Sequence, residues 1–478
     1  MGQERTSSEG THDSVRAWVG RVSAQPIIAS ALFWAWFDLA VYRPTLFLPF
    51  AGGDMGLYRT FFLVAMGCGA LPLLLAALRP GLTEPLLGRR PAWLAMTGVA
   101  LAGAAGAVAG AALSSAALAV VGGVMVGACL GFFQLAWSKV YAVRGAKTAS
   151  TLLALSIGLG ALVDFSVFGL PAIVAVAVTV ALPFVWALLM APSPLIGAEA
   201  RGDAALTLGN DPAASPVSRT SLDAIFEGSS LRVFGLSLSL AAAFLIYGFS
   251  FSYDQYMNVF SAACLDAASS DILLITRGLT AFAVFFAIYL FPNRMYGVFR
   301  VGILVGVAGC VAAPSLGLVL SGFPLAGVFI AVGYTTIDII TWTLLSEISA
   351  RTGVGVSATL GPGRFLIHVG FVAGFGVVSS LVAVSTTGEH LTALNSTVGY
   401  LMVIAEMLLL GENAGLWMLA RVSVAPDADV PDIASATAEG GSLASMAARF
   451  GLTEREAEVL DLLLAGRSRA RVAQTAYD

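Results

Sequence analysis

Long apolar runs separated by short polar stretches make up most of the chain between residues 25 and 420. Twelve of these runs are long enough to cross a membrane as a helix, which requires about 20 mostly apolar residues. Their centres lie near Trp36, Leu63, Gly103, Gly127, Leu155, Val180, Ala243, Ala283, Gly306, Gly333, Val372 and Met407. The pattern therefore predicts an all-α, polytopic membrane protein with twelve transmembrane helices.

The twelve runs fall into two groups of six, separated by a polar segment rich in Ala, Gly, Pro, Ser and Asp. Six helices, a long middle loop and six more helices are the arrangement of a duplicated bundle. The predicted divisions are an N-terminal tail (1–24), helices 1–6 (25–192), the middle loop (193–230), helices 7–12 (231–420), a flexible linker (421–450) and a short folded segment (451–478).

The composition agrees with this membrane assignment. Of the 478 residues, 58% are hydrophobic and only 11% are charged, whereas soluble domains contain about 25% charged residues. The lipid bilayer is therefore an expected partner. The polar stretch at residues 1–23 lacks the pattern of a cleaved signal peptide.

The basic residues predict the orientation. All but three of the 25 Lys and Arg residues fall on segments that a twelve-helix topology with both termini in the cytoplasm places inside; the exceptions are Arg43, Arg59 and Arg277. This distribution follows the positive-inside rule. It predicts a multi-pass protein of the inner (cytoplasmic) membrane of a bacterium, with both termini cytoplasmic.

The segment between the second and third predicted helices carries a family resemblance. It runs from Arg79-Pro80-Gly81 through Glu84 to Gly88-Arg89-Arg90 and resembles the charged loop found at this place in the major facilitator superfamily. The usual aspartate and its spacing are absent, so the resemblance rests mainly on the six-plus-six architecture of Gln25 to Ala420. It implies the major facilitator fold and, as one reading of function, solute transport.

Charged residues within the apolar runs are the main candidates for a ligand site. A charge near the bilayer centre costs about 2.5–3.5 kcal/mol on insertion scales, so such residues usually face a cavity or a partner. Trp34 and Tyr247 join them because they lie in the first helices of the two halves. The ligand-binding candidates are Trp34, Asp38, Tyr247, Asp254, Arg277, Asp338 and Glu406.

Structural roles remain open for the same residues. The charges are equally explained by ion pairs between helices, with Arg277 expected to neutralise Asp38 or Asp254. The aromatic residues also suit the belts at membrane interfaces. The sequence contains no nucleotide-binding loop, metal-ligand cluster or nucleophile paired with a base, so we expect no enzyme, no cofactor, no metal and no catalytic residue.

The end of the chain has a different pattern. Thr453 and Glu456 have the spacing of a capping box at a helix start. Apolar residues at helical spacing follow, and Gly466 is placed to end the helix. Ser468 is placed to cap a second short helix.

These residues resemble the start of the LuxR-type helix-turn-helix domain. The matching positions are Leu452, Thr453, Arg455, Glu456, Glu458, Val459, Leu460, Gly466, Ser468, Val472 and Ala473. The resemblance implies a DNA-binding tail, in which Arg467, Arg469 and Arg471 would contact phosphates. A chance amphipathic helix is the alternative explanation.

The family's recognition helix would follow Asp478, and base recognition depends on that helix. DNA is therefore an expected partner only if the recognition helix is present in the full-length product. The sequence is expected either to be incomplete at this end or to have lost its output domain.

Two main functions follow from these observations. The leading prediction is a membrane-embedded LuxR-family transcriptional regulator whose bundle senses an unknown small molecule. The alternative is a major facilitator-type solute transporter with a vestigial helix-turn-helix tail. A membrane scaffold without a ligand is a third reading, and the sequence leaves a homodimer open.

Overall fold

The computed structural model describes residues 24–50, 55–142, 146–190, 232–234, 236–256, 267–291, 295–319, 325–352, 354–384 and 388–410. Within these ranges the chain is almost entirely helical. The described helices belong to one compact unit, Met1–Val422.

The first half contains six long helices and one short one. They are α1 (Ala24–Phe37, continued by the π-helical turn Asp38–Tyr42), α2 (Met55–Leu78), α3 (Pro80–Leu87), α4 (Arg90–Ala112), α5 (Ala116–Ala142), α6 (Ala146–Phe168) and α7 (Ala172–Met190). The short helix α3 occupies the segment between the second and third predicted spans.

The second half begins with a small antiparallel hairpin and continues with six long helices. The elements are β1 (Arg232–Val233), β2 (Leu236–Ser237), α8 (Leu238–Gln255), α9 (Ala267–Leu290), α10 (Met295–Val319), α11 (Leu325–Thr352), α12 (Val356–Val384) and α13 (Gly388–Leu410). The side chain of Ser237 caps α8 by accepting a hydrogen bond from the Leu240 amide at 3.3 Å.

Each of the twelve predicted apolar runs coincides with one long helix. Among the described residues, nine helices are long and apolar enough to cross a membrane. The remaining three contain shorter apolar stretches, Leu238–Tyr253, Gly297–Val311 and Ser396–Leu409. The prediction of an all-α bundle with twelve transmembrane helices is confirmed.

Glycines allow the closest helix contacts. A methyl group added at Gly123, Gly127 or Gly131 of α5 would collide with the backbone carbonyls of Phe61, Ala65 and Gly69 of α2, respectively. Small residues spaced four apart let helix backbones approach, which favours helix association in lipid. The spacing visible in the sequence therefore serves the packing of α5 on α2.

The two halves meet along two main helix pairs. Helix α2 packs against α12, and α6 packs against α9. Helix α11 also contacts α5 and α6. Helices α1 and α6 belong to the first half, and α8, α9 and α11 belong to the second. Side chains from both halves therefore come together at this junction.

The π-helical turn at the end of α1 lies beside this junction. The Arg43 amide donates a 2.8 Å hydrogen bond to the Asp38 carbonyl, five residues back. π-Helical turns are rare in proteins, and those that occur are often found at functional sites. Here the turn sets the direction of the side chains from Asp38 to Tyr42.

Candidate functional site

A cavity of about 140 Å³ lies at the junction of the two halves. Helices α1 and α6 of the first half and α8, α9 and α11 of the second contribute to its wall. Its polar lining side chains are Asp38, Tyr42, Arg43, Asp164, Tyr247, Gln255, Arg277, Tyr334, Thr335 and Asp338. The cavity therefore brings together polar side chains from five helices, with charges of both signs among them.

The first ion pair joins the two halves across the cavity. Arg277 of α9 donates a hydrogen bond from Nη1 to Oδ1 of Asp38 at 2.5 Å. The Asp38 side chain is 5% exposed and that of Arg277 is 21% exposed. The Arg277 guanidinium also lies 6.0 Å from the ring centre of Trp34, one helical turn before Asp38. The pair thus neutralises a buried charge while leaving part of Arg277 accessible.

A second ion pair lies within the second half. Arg364 of α12 donates a hydrogen bond from Nη1 to Oδ1 of Asp338 at 3.0 Å. The guanidinium stacks on Trp342 at 4.3 Å from the ring centre. Its Nε and Nη2 atoms are buried and have no hydrogen-bond partner within the described residues.

The two ion pairs have the same construction. Each consists of an aspartate, an arginine from another helix, and a tryptophan that lies four positions from the aspartate in the same continuous helical segment. The order is Trp34 then Asp38 in the first half, and Asp338 then Trp342 in the second. The two tryptophans meet edge to face, with ring centres 5.5 Å apart. This contact between the halves lies one helical turn from each of the two lining aspartates, outside the cavity wall, and we call it the floor contact.

A third charged group lies toward the end of the bundle at which α1 ends. Nε of Arg43 is 3.4 Å from Oδ2 of the fully buried Asp164. Nη1 of Arg43 is 3.9 Å from Oδ1 of Asp271, whose side chain is 33% exposed. This arginine also packs over Phe168 at 4.4 Å. Since Asp271 belongs to α9, Arg43 connects the two halves on this side of the cavity.

His368 connects the halves away from the cavity wall. Its Nδ1 is 2.9 Å from the Met66 carbonyl and its Nε2 is 3.1 Å from Nε2 of Gln134. The carbonyl accepts only from a protonated Nδ1, and the amide nitrogen donates only to an unprotonated Nε2. These contacts therefore fit a neutral imidazole that links α12 to α2 and α5.

Glu84 of α3 makes a further contact between the halves. Its Oε2 accepts a 2.8 Å hydrogen bond from the backbone amide of Ser357, at the start of α12. Its Oε1 lies 3.6 Å from Nζ of Lys139. A carboxylate is favourable at a helix N-terminus because the free amides there carry partial positive charge. Glu84, which belongs to the charged segment noted in the sequence, thus links α3 of the first half to α12 of the second half.

The structure gathers four of the predicted ligand-binding residues in the cavity wall, namely Asp38, Tyr247, Arg277 and Asp338. Trp34 lies outside the cavity wall and forms the floor contact with Trp342. Asp254 lies in α8, but its side chain is outside the described residues. Glu406 faces elsewhere and lies 3.8 Å from Arg300.

Several residues of the site were not among the candidates. Arg43 and Asp164 lie near the ends of their apolar runs, where a charge is weaker evidence for a ligand site. Tyr42 depends on the π-helical turn, and Tyr334 and Thr335 have no distinguishing spacing. Trp342 would have been found by searching for an Asp and a Trp four apart in both halves, whereas Arg364 is identified only by the packing of α12 beside α11.

The helix-turn-helix positions from Leu452 to Ala473, and the possible phosphate contacts Arg467, Arg469 and Arg471, lie outside the described residues. Within the described part of the chain, no group of three or more His, Cys, Asp or Glu side chains is arranged to hold a metal ion.

Comparisons with known proteins identify the fold. The structure is similar to a major facilitator superfamily transporter, FucP, in the outward conformation, with a TM-score of 0.54 and 15% identity over 80% of this chain and 96% of that one. It is also similar to a variant of the E. coli fucose:proton symporter FucP, with a TM-score of 0.50, 14% identity and the same coverage. The human organic anion transporter MFSD10 aligns with a TM-score of 0.49 and 17% identity over 80% and 97% of the two chains. No family model matches the sequence, and no curated protein matches it.

The chain is therefore a multi-pass membrane protein with a major facilitator-like fold. The prediction of a membrane-embedded transcriptional regulator is wrong, because the structures that share this fold are transporters. The comparisons also give no support for DNA binding, for a LuxR-type fusion or for a homodimer. The LuxR-like residues 451–478 are a small part of a chain dominated by the helix bundle.

Proposed function

We propose that this protein is a secondary transporter that carries a small polar solute through the charged cavity by alternating access. The observation that supports the proposal most strongly is the cavity itself, which both six-helix halves line with Asp38, Arg277 and Asp338. A site at the interface of two repeated halves is where transporters of this construction bind their solutes. We also propose that the protein lies in the bacterial cytoplasmic membrane; its basic residues favour an orientation with both termini in the cytoplasm.

The cavity volume sets the size of the solute. One water molecule needs roughly 10–15 Å³ of such volume, and the cavity measures about 140 Å³. The space suits a solute of roughly ten non-hydrogen atoms, by the same scale. Monosaccharides, amino acids and short carboxylates are in this range.

The lining favours a solute rich in hydrogen-bonding groups. The aspartates offer acceptors, Arg43 and Arg277 offer donors, and Tyr247 and Thr335 offer hydroxyls. In a low-dielectric interior these groups must be paired with each other or with the solute. A bound solute would therefore replace some of the hydrogen bonds within the ion pairs. Because the Asp38–Arg277 pair joins the two halves, solute binding would change the contacts between the halves.

Contacts on both sides of the cavity would act as gates. The floor contact of Trp34 with Trp342, and beyond it the Glu84–Ser357 hydrogen bond, would part to release solute toward the α3 end. The Arg43–Asp271 contact would part to admit solute from the opposite end. Alternating access requires the two sets to open in turn.

The direct test is solute uptake by the purified protein in liposomes. The probes are radiolabelled fucose (the solute named for one structural neighbour), alanine as a zwitterion and lactate as a carboxylate. We expect uptake of at least one probe above that of protein-free liposomes. Asp338→Asn should lower that uptake at least tenfold, because it removes a lining charge and the ionic partner of Arg364.

The matched control is Glu406→Gln, which removes a carboxylate of the second half outside the cavity wall. This variant should keep most of the uptake. Uptake of all three probes at the protein-free level, or equal losses in Asp338→Asn and Glu406→Gln, would contradict the proposal as stated.

A further inference from the structure

A second cavity, distinct from the central one, lies on the first half between α2, α3, α4 and α5. Its volume is about 370 Å³, and its lining is almost wholly apolar. The wall includes Leu71, Leu75, Leu86, Val124, Ala128 and Phe132. Several of these side chains are exposed, including Leu71 at 60% and Leu75 at 47%. We call this feature the apolar groove.

The depth of the groove matches one leaflet of a bilayer. Along α5 it extends from Val124 to Leu135, eleven residues apart, which is about 16 Å at the helical rise of 1.5 Å per residue. The hydrocarbon core of a bilayer is about 30 Å thick, so one leaflet contributes about 15 Å. The groove thus runs from mid-membrane to the end of the bundle where α3 lies.

Helix α3 closes the groove at the membrane interface. Thr83, Leu86 and Leu87 of α3 line it, while Leu82 is 65% exposed on the outside of the short helix. A short helix with exposed leucines and flanking arginines is typical of an element that lies in the headgroup region. The open apolar wall below α3 therefore faces acyl chains.

Positive charge flanks the closed end. Arg79 immediately precedes α3 and Arg89 follows it, and both are exposed. Neither side chain forms an ion pair within the described part of the chain, whereas the nearby Glu84 is engaged by Lys139 and the Ser357 amide. The mouth of the groove consequently carries uncompensated positive charge at the depth of lipid phosphates.

We infer that the groove binds one anionic glycerophospholipid, with an acyl chain along α5 and the phosphate at Arg79 and Arg89. The predicted orientation places this mouth at the cytoplasmic leaflet, whose anionic lipids attract basic residues near the surface. The site does not depend on the identity of the transported solute or on transport itself.

The test is lipid binding to the full-length protein in detergent, measured by native mass spectrometry. The probes are phosphatidylglycerol and phosphatidylcholine with identical acyl chains. We expect the wild-type protein to bind phosphatidylglycerol more tightly. The double variant Arg79→Gln/Arg89→Gln should weaken that binding by about 30-fold, based on the usual contribution of a basic residue near an anionic surface, and should leave phosphatidylcholine binding unchanged.

A second variant tests the acyl-chain part of the site. Ala128→Phe fills the groove from α5 and should weaken the binding of both lipids. Ala177→Phe is the matched control, because Ala177 is an exposed position of α7 outside the groove. Arg300→Gln, which removes an exposed arginine elsewhere, is the control for charge.

Equal affinity of the wild-type protein for the two lipids would overturn the inference. So would phosphatidylglycerol binding that survives Arg79→Gln/Arg89→Gln, or lipid binding that Ala128→Phe and Ala177→Phe change to the same extent. Thermal unfolding of each variant identifies any loss of binding that follows from loss of fold.

Discussion

Breaking the Asp38–Arg277 ion pair from one side should destabilise the bundle strongly. Arg277→Gln leaves the carboxylate of Asp38, which is 5% exposed, without the guanidinium that lies 2.5 Å away. Removing one partner of a buried pair costs about 3–5 kcal/mol, because the other charge stays buried and uncompensated. Arg277 is 21% exposed, so we expect the lower end of this range, about 3 kcal/mol.

Removing both partners should recover much of this loss. The double variant Asp38→Asn/Arg277→Gln places two neutral amide side chains at the same positions, and these can hydrogen-bond to each other. We expect the double variant to be less destabilised than Arg277→Gln alone. The assay is the free energy of unfolding from SDS titration in mixed micelles, measured for all four members of the cycle.

The matched control is the Arg300–Glu406 pair, which is 3.8 Å apart with the arginine 62% exposed. Arg300→Gln should cost less than about 1 kcal/mol, as exposed ion pairs do. A cost of Arg277→Gln no greater than that of Arg300→Gln would refute the stabilising role of the buried pair. Effects of Asp38→Asn and Arg277→Gln that add to within about 0.5 kcal/mol would also refute it, because additivity means that the residues do not interact.

Two further predictions concern contacts of α12. Gly248→Ala should destabilise the protein by about 1–3 kcal/mol, because the new methyl group meets the Ile367 carbonyl. Gly297→Ala, which has nothing within 4 Å, should be neutral or stabilising in the same SDS titration, and equal effects would contradict the packing argument. His368→Leu should lower the free energy of unfolding by about 1–3 kcal/mol, since the Met66 carbonyl and the Gln134 amide lose their partner. An unchanged unfolding midpoint would refute the bridging role of His368.

The sequence predicted the helices well because the membrane imposes a simple rule on their length and polarity. It also singled out Asp38, Arg277 and Asp338, which lie in the cavity wall, since a charge inside an apolar run is costly enough to need a partner or a cavity. Glu406 meets the same criterion and yet lies outside the cavity wall. Sequence position gives depth along a helix, but the direction of a side chain depends on how that helix packs.

The same limit explains the contacts that sequence reasoning did not foresee. The pairing of Asp338 with Arg364 requires knowing that α11 and α12 are neighbours at that depth. The π-helical turn at Asp38–Tyr42 has no sequence signal of the kind that marks a capping box. Glu84 stood out as part of a charged segment, but its acceptance of the Ser357 amide joins residues 273 positions apart.

The most direct test of the central claim is whether the cavity becomes accessible from both sides of the membrane. Ala331→Cys, in a background with the four native cysteines replaced, places a thiol in the cavity wall. A membrane-impermeant thiol reagent is added to sealed vesicles of either orientation. Alternating access predicts labelling from both sides. A bifunctional thiol cross-linker joining Glu84→Cys to Ser357→Cys should abolish labelling from the α3 side alone. Labelling confined to one side with or without the cross-link would contradict the account.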